Sequence, residues 1–163
     1  MKRTLRRHRP AIDVRPGESV LAWAEATDGT LVAGTRDAVY VGAARLPWEQ
    51  VEAADWDRDA DLLRLSEVGT WGEQRVEHAL TFDAPGRLLQ LVRERVTASI
   101  VLQRHVSVDG PRGVRVIARR APNRDRPIAW FYEYDEGIDP ADPAVREVAE
   151  TALQVAREEL GEH

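Results

Sequence analysis

Apolar positions in residues 15–57, RPGESVLAWAEATDGTLVAGTRDAVYVGAARLPWEQVEAADWD, fall in short runs interrupted by small or polar groups. Runs this short predict consecutive antiparallel strands rather than helices. Leu21, Trp23 and Leu31 lie on either side of Thr27-Asp28-Gly29-Thr30. Asp-Gly between apolar runs predicts a hairpin, because a type I′ turn needs positive φ at both central residues. Arg36-Asp37 predicts a second reversal before Ala38-Val39-Tyr40-Val41, and Gly42 to Arg45 reads as a third small, polar break. Pro47 has no ladder donor and suits the start or edge of a fourth strand, which Trp48 and Trp56 flank. Either ring is placed to cover one end of a small barrel.

Past this stretch the period changes. Leu62, Leu63 and Leu65 form a further apolar run, Gly69-Thr70-Trp71-Gly72 a turn, and Val76, His78, Leu80 and Phe82 alternate as a half-buried strand does. Asp83 reads as a helix N-cap with Pro85 in the first turn. Leu88, Leu91, Val92 and Val96 then make one apolar stripe. This helix is expected to plug the open end of the barrel and to yield near Thr97 to Ser99, where β-branched residues accumulate.

From Ile100 the pattern returns to strand. Ile100, Leu102, Val106 and Val108 share a face, Asp109 to Gly113 is a loop, and Val114, Val116 and Ala118 return. Ala121 to Pro127 is a longer connection, and Ile128, Trp130, Tyr132 and Tyr134 alternate in a strand rich in β-favouring aromatics. Asp142-Pro143 opens a last helix as N-cap and first helical residue. Its stripe is Val145, Val148, Ala149, Ala152, Ala156 and Leu160, and Gly161 stops it. The predicted class is therefore α+β. A bent antiparallel sheet or partly open barrel, capped by a helix, precedes a three-stranded meander and a C-terminal helix. The divisions are a basic arm at 1–11, a first unit at 12–99, and an extension at 100–163 that docks on it because it is too small to stand alone.

The order Pro16-Gly17-Glu18, apolar strand, Asp28-Gly29, strand, Thr35-Arg36-Asp37, short strand, Leu46-Pro47-Trp48-Glu49 resembles the bacterial pleckstrin-homology-like (PH-like) domains. The resemblance covers about residues 12–99, a length that suits one domain. It implies a strongly bent sheet or partly open barrel closed by a C-terminal helix. Many members of that family have no assigned activity, so it implies a fold more than a function.

Composition narrows the chemistry. The 163 residues are 43% hydrophobic and 31% charged, as in an ordinary globular protein. No apolar run is long enough to predict a transmembrane helix. The basic start MKRTLRRHRP is followed by no apolar region and is not expected to be a secretory leader. With no cysteine there is no disulfide, thiolate metal site or cysteine nucleophile, and a cytoplasmic location is expected. Net charge is −5, but Lys2, Arg3, Arg6, Arg7 and Arg9 stand without an acid in the first ten residues, leaving −10 for the rest. Lys2 is the sole lysine; the preference for arginine is what biased codons in a GC-rich genome would produce, and it also supplies planar, bidentate contacts that lysine cannot make.

No catalytic constellation emerges. Asp55, Asp57, Asp59 and Asp61 hold the first four odd positions of a calcium loop, but Ala60 replaces the glycine of the sharp turn. Ser66 stands where the bidentate glutamate belongs, so a polar hairpin loop is the reading. His8, His78, His105 and His163 are scattered beyond metal-ligand spacing. Glu133 and Asp135 share a strand face as an acid/base pair would, but their acidic neighbours argue for a solvated loop.

Two charged features remain. Arg3, Arg6, Arg7 and Arg9 form an arm suited to nucleic acid or an anionic membrane. Arg115, Arg119 and Arg120 belong to a basic segment, Arg112 to Arg126, which precedes the acidic Glu133 to Asp142. That segment either pairs internally or, with Trp130 and Tyr132 as apolar centre, forms an interaction surface. The expected function is a non-catalytic module acting through protein contacts with an unknown partner or its own copy. The alternative is a polyanion binder through the arm; no cofactor or metal is expected.

Overall fold

The computed structural model describes residues 11–69, 75–122 and 126–162. The arm with Arg3, Arg6, Arg7 and Arg9 lies outside them, as do Thr70 to Gly72 of the expected turn. The class is α+β, with three antiparallel sheets and two helices. The first sheet is a meander of β1 (Ala22–Glu25), β2 (Leu31–Gly34), β3 (Ala38–Val41) and β4 (Ala44–Pro47), in that order. Asp28 sets its first turn by accepting a hydrogen bond from the Thr30 amide at 2.9 Å. Thr35, fully buried, sets the second: its Oγ1 accepts from the amides of Asp37 and Ala38.

Gly42 to Arg45 is not simply a break. Val41 pairs with Ala44, so Gly42-Ala43 is a two-residue turn into β4, which the small side chains of Ala43 and Ala44 conceal in the sequence. Pro47 ends this edge strand instead of starting the next. A single 3₁₀ turn, Trp48–Gln50, then swings the chain into a second sheet, β5 (Val51–Asp57), β6 (Leu62–Glu67) and β7 (Glu77–Thr81). Residues 18–82 therefore form two sheets, not one bent sheet. They touch at a corner where the Thr27 amide donates to the Thr81 carbonyl at 2.9 Å, and no closed barrel forms among the described residues.

The Asp57 to Asp61 stretch closes the β5–β6 hairpin. Asp57 Oδ1 accepts from the amides of Asp59 and Ala60, and Asp61 takes the left-handed conformation at φ 49°.

Helix α1 (Leu88–Ser99) begins later than its sequence suggests. Asp83 does not cap it. Gly86 adopts φ +54°, a left-handed kink that uncouples Asp83 and Pro85 from the helix, and the capping residue is Arg87, with no side-chain bond. Leu88, Val92 and Val96 are buried with Trp48, Leu65 and Phe82 in the first core. Leu91 is only half-buried, at the place where α1 comes closest to β2: a Cβ built on Gly34 would lie 2.5 Å from Leu91 Cδ2. Trp48 is fully buried, and its Nε1 donates to the Thr35 carbonyl at 2.9 Å.

The chain passes without a loop from α1 into β8 (Ile100–Asp109), followed by β9 (Arg112–Arg119) and β10 (Ala129–Tyr134). β9 is the central strand and β8 and β10 are the edges. Helix α2 (Pro143–Glu159) lies on one face. Its start is the one its sequence predicts: Asp142 accepts from the Ala144 amide at 2.9 Å, with Pro143 in the first turn. Val145, Ala149, Ala152 and Ala156 are buried, and the small side chains let the helix approach Leu102, Val116 and Ala118 closely. The two clusters of buried residues lie on either side of residue 100.

Candidate functional site

Strand register decides which side chains of the third sheet meet. Arg104, Val116 and Tyr132 form one row across it, and Leu102, Ala118 and Trp130 another, both facing α2. His105, Arg115 and Glu133 form a row on the opposite face. Arg115 Nη1 lies 3.5 Å from Glu133 Oε1, so the basic and acidic segments match within one chain. Glu133 and Asp135 are likewise not a free acid/base pair. Asp135 Oδ2 lies 2.8 Å from His105 Nε2 and accepts from the Gly113 amide at 2.7 Å; these two bonds hold its carboxyl below the usual range.

The expected interaction surface does not assemble. Arg119, 2% exposed, is not a surface residue, because β9 is flanked on both sides and this face of it meets the first unit. Its guanidinium donates to Ser99 Oγ at 3.0 Å and to the Glu52 carbonyl at 2.8 Å. Burial lowers its affinity for a proton, and the carboxylates of Glu52 and Glu133 oppose that effect. The Glu52 carboxyl is pushed up by burial and by Glu133, against the pull of Arg75 and Arg119. Trp130 is half-buried beneath α2: its Nε1 donates to Glu162 Oε2 at 2.8 Å, and the Arg157 guanidinium lies 6.0 Å from its ring centroid. Tyr132, two residues further along the same edge strand, is exposed, and Arg120 is half-buried just past β9.

The exposed apolar surface lies elsewhere. Edge strand β8 and helix α2 enclose an open groove of about 550 Å³, lined by Val106, Val148, Ala152, Val155 and Ala156. Val155 is 50% exposed. Arg104 stands on the strand wall, Glu147 and Glu159 on the helix wall, and Arg104 Nη2 reaches Glu159 at 2.7 Å. Val148 was legible as part of the helical stripe. Val155 sits seven residues on, next to that stripe rather than in it, and this second ridge is the signal that locates the groove.

A second polar convergence is self-satisfied. Glu18, its side chain 6% exposed, accepts from Thr35 Oγ1 at 2.6 Å, Tyr40 Oη at 2.7 Å and Arg45 Nε at 3.2 Å. Burial works to raise this carboxyl, but the three donors prevail and hold it below its ordinary value. The group ties the Pro-Gly-Glu segment onto β3 and β4. Among the described residues no cluster of histidine and carboxylate side chains is arranged to hold a metal, and no helix is long and apolar enough to cross a membrane. Compared with protein-family models, curated proteins and solved structures, the chain matches none.

Proposed function

We propose that the chain is a non-catalytic interaction module of PH-like architecture that works by self-association through the groove between β8 and α2. A helix that follows the antiparallel strands and packs its apolar stripe against them is the feature of the PH-like resemblance that supports this reading for the first unit. The non-catalytic reading rests on how the polar groups are used: Glu18, Thr35, Tyr40 and Arg45 satisfy one another, as do His105 and Asp135.

The observation that carries self-association is the groove's self-complementarity. Its floor and ridge are apolar, with Arg104 on the strand wall and Glu147 and Glu159 on the helix wall. A two-fold axis that lays the α2 ridge of one copy into the groove of another buries the apolar ridge of each against the apolar floor of the other. The apolar centre supplies the affinity, since exposed ion pairs contribute about 0–1 kcal/mol each. One groove is small beside the ~1,200–2,000 Å² buried in stable complexes, so the dimer is weak.

Sedimentation velocity from sub-micromolar to high-micromolar protein tests this. A dimer that grows with concentration, and that Val155→Glu abolishes without lowering the melting temperature, is expected. A monomer throughout contradicts the proposal and leaves the groove to a different partner.

A further inference from the structure

A second cavity, of about 230 Å³, opens where the two units join. Three arginines from distant parts of the chain line it: Arg36 from the β2–β3 turn, Arg95 from α1, and Arg120 just after β9. The remaining walls are small or apolar, Ala98, Ser99, Val101, Ala121 and Pro122, and among the described residues no carboxylate lines the cavity. The frame is fixed from both sides. The Arg120 amide donates to the Ser99 carbonyl at 2.8 Å, tying the end of β9 to the end of α1, and Ser99 Oγ is itself occupied by Val96 and Arg119.

Seven other arginines each pair with a carboxylate, and Arg58, Arg87 and Arg93, which do not, are exposed to water. Among the described residues Arg36, Arg95 and Arg120 pair with none, although Arg95 and Arg120 are half-buried. Half-buried charge without a counter-charge is unfavourable, and like charges that converge add repulsion. A helix end contributes only about 0.3–1 kcal/mol to a nearby cation, and the last turn of α1 holds no basic residue.

We propose that this cavity is a binding site for a small, multiply charged phosphate oxyanion of the diphosphate type. Three guanidinium groups match a diphosphate in charge, and their planar donor forks suit its oxygens. The ligand joins the β2–β3 turn, α1 and the start of the β9–β10 connection, so it pins the second unit to the first. This assignment is independent of the groove on α2.

Calorimetric titration of the full chain with inorganic pyrophosphate tests it, with inorganic phosphate and anionic phosphatidic-acid vesicles as parallel arms. Pyrophosphate is expected to bind more tightly than phosphate, more weakly as salt rises, and to raise the melting temperature. Arg36→Gln, on an exposed turn, and Arg120→Gln each weaken it at least about tenfold, the scale of a lost charged hydrogen bond. A chain lacking residues 1–10 binds as well as the full one. Binding to vesicles but not to pyrophosphate assigns the chemistry to a lipid surface and overturns the small-ligand site. No binding to pyrophosphate, or binding lost with residues 1–10 and untouched by both substitutions, overturns it as well.

Discussion

Replacing Arg119 with alanine removes the side chain that crosses from the central strand of the third sheet to the first unit. The guanidinium donates to Ser99 Oγ at 3.0 Å and to the Glu52 carbonyl at 2.8 Å, and the residue is 2% exposed. Hydrogen bonds from a charged donor contribute about 1.5–3 kcal/mol each, so the pair contributes about 3–6 kcal/mol before other terms. Relief of the buried charge returns part of this, because burial already disfavours the charged form of Arg119. The carbonyl of Glu52 is left without that donor, and a cavity opens where the aliphatic stem lay. The net expectation is a loss of about 2–4 kcal/mol. At about 2–4 °C per kcal/mol for a chain of this length, the melting temperature falls by roughly 5–15 °C. Urea unfolding followed by tryptophan fluorescence and by far-ultraviolet circular dichroism measures both the loss and the cooperativity. If Arg119 couples the two cores, the two probes separate in the variant and coincide in the parent. A loss below about 0.5 kcal/mol, with coincident transitions, refutes the reasoning.

Other outcomes follow from the same contacts. Gly113→Ala places a Cβ 1.9 Å from the Val106 carbonyl oxygen and 2.8 Å from Ser107 Cα, both rigid backbone; the β8–β9 pairing shifts, and little folded protein is recovered, as judged by soluble yield and circular dichroism. Glu18 has a folded-state pKa below its ordinary value, so its contribution is present above the unfolded pKa and lost as pH falls through the depressed folded one. Glu18→Gln therefore lowers stability at neutral pH and flattens the acid limb of the stability profile, which urea midpoints at several pH values measure. Trp48→Phe keeps most of the buried ring but loses the bond to the Thr35 carbonyl; a stability loss of about 1–3 kcal/mol is expected in the same unfolding assay.

The sequence made plain those features that depend on near neighbours. Asp142-Pro143 capped a helix as read, because an N-cap bond closes over two residues. The alternation in Trp130, Tyr132 and Tyr134 set the α2-facing side of β10, and Asp28-Gly29 set a hairpin. Features fixed by distant partners were harder to read. Nothing near Arg119 marks β9 as the central strand, and only that position buries Arg119 while Arg112 and Arg126 of the same segment stay exposed. Asp83 and Pro85 carry a helix-start signature, yet Gly86 turns the chain away before the helix begins. Gly42 to Arg45 held a turn and a strand because alanines carry little apolar signal. Arg36 and Arg95 lie far apart in the sequence, and only the fold brings them to one cavity with Arg120.

Self-association through the β8 and α2 groove is tested most directly by hydrogen exchange along β8, measured at low and high protein concentration. Among the described residues the outer edge of β8 has no strand partner, so its amides report whether a second copy covers it. Exchange there is expected to slow as concentration rises, and to become independent of concentration in Val155→Glu. Equal exchange along β8 at both concentrations in the parent chain would contradict the account.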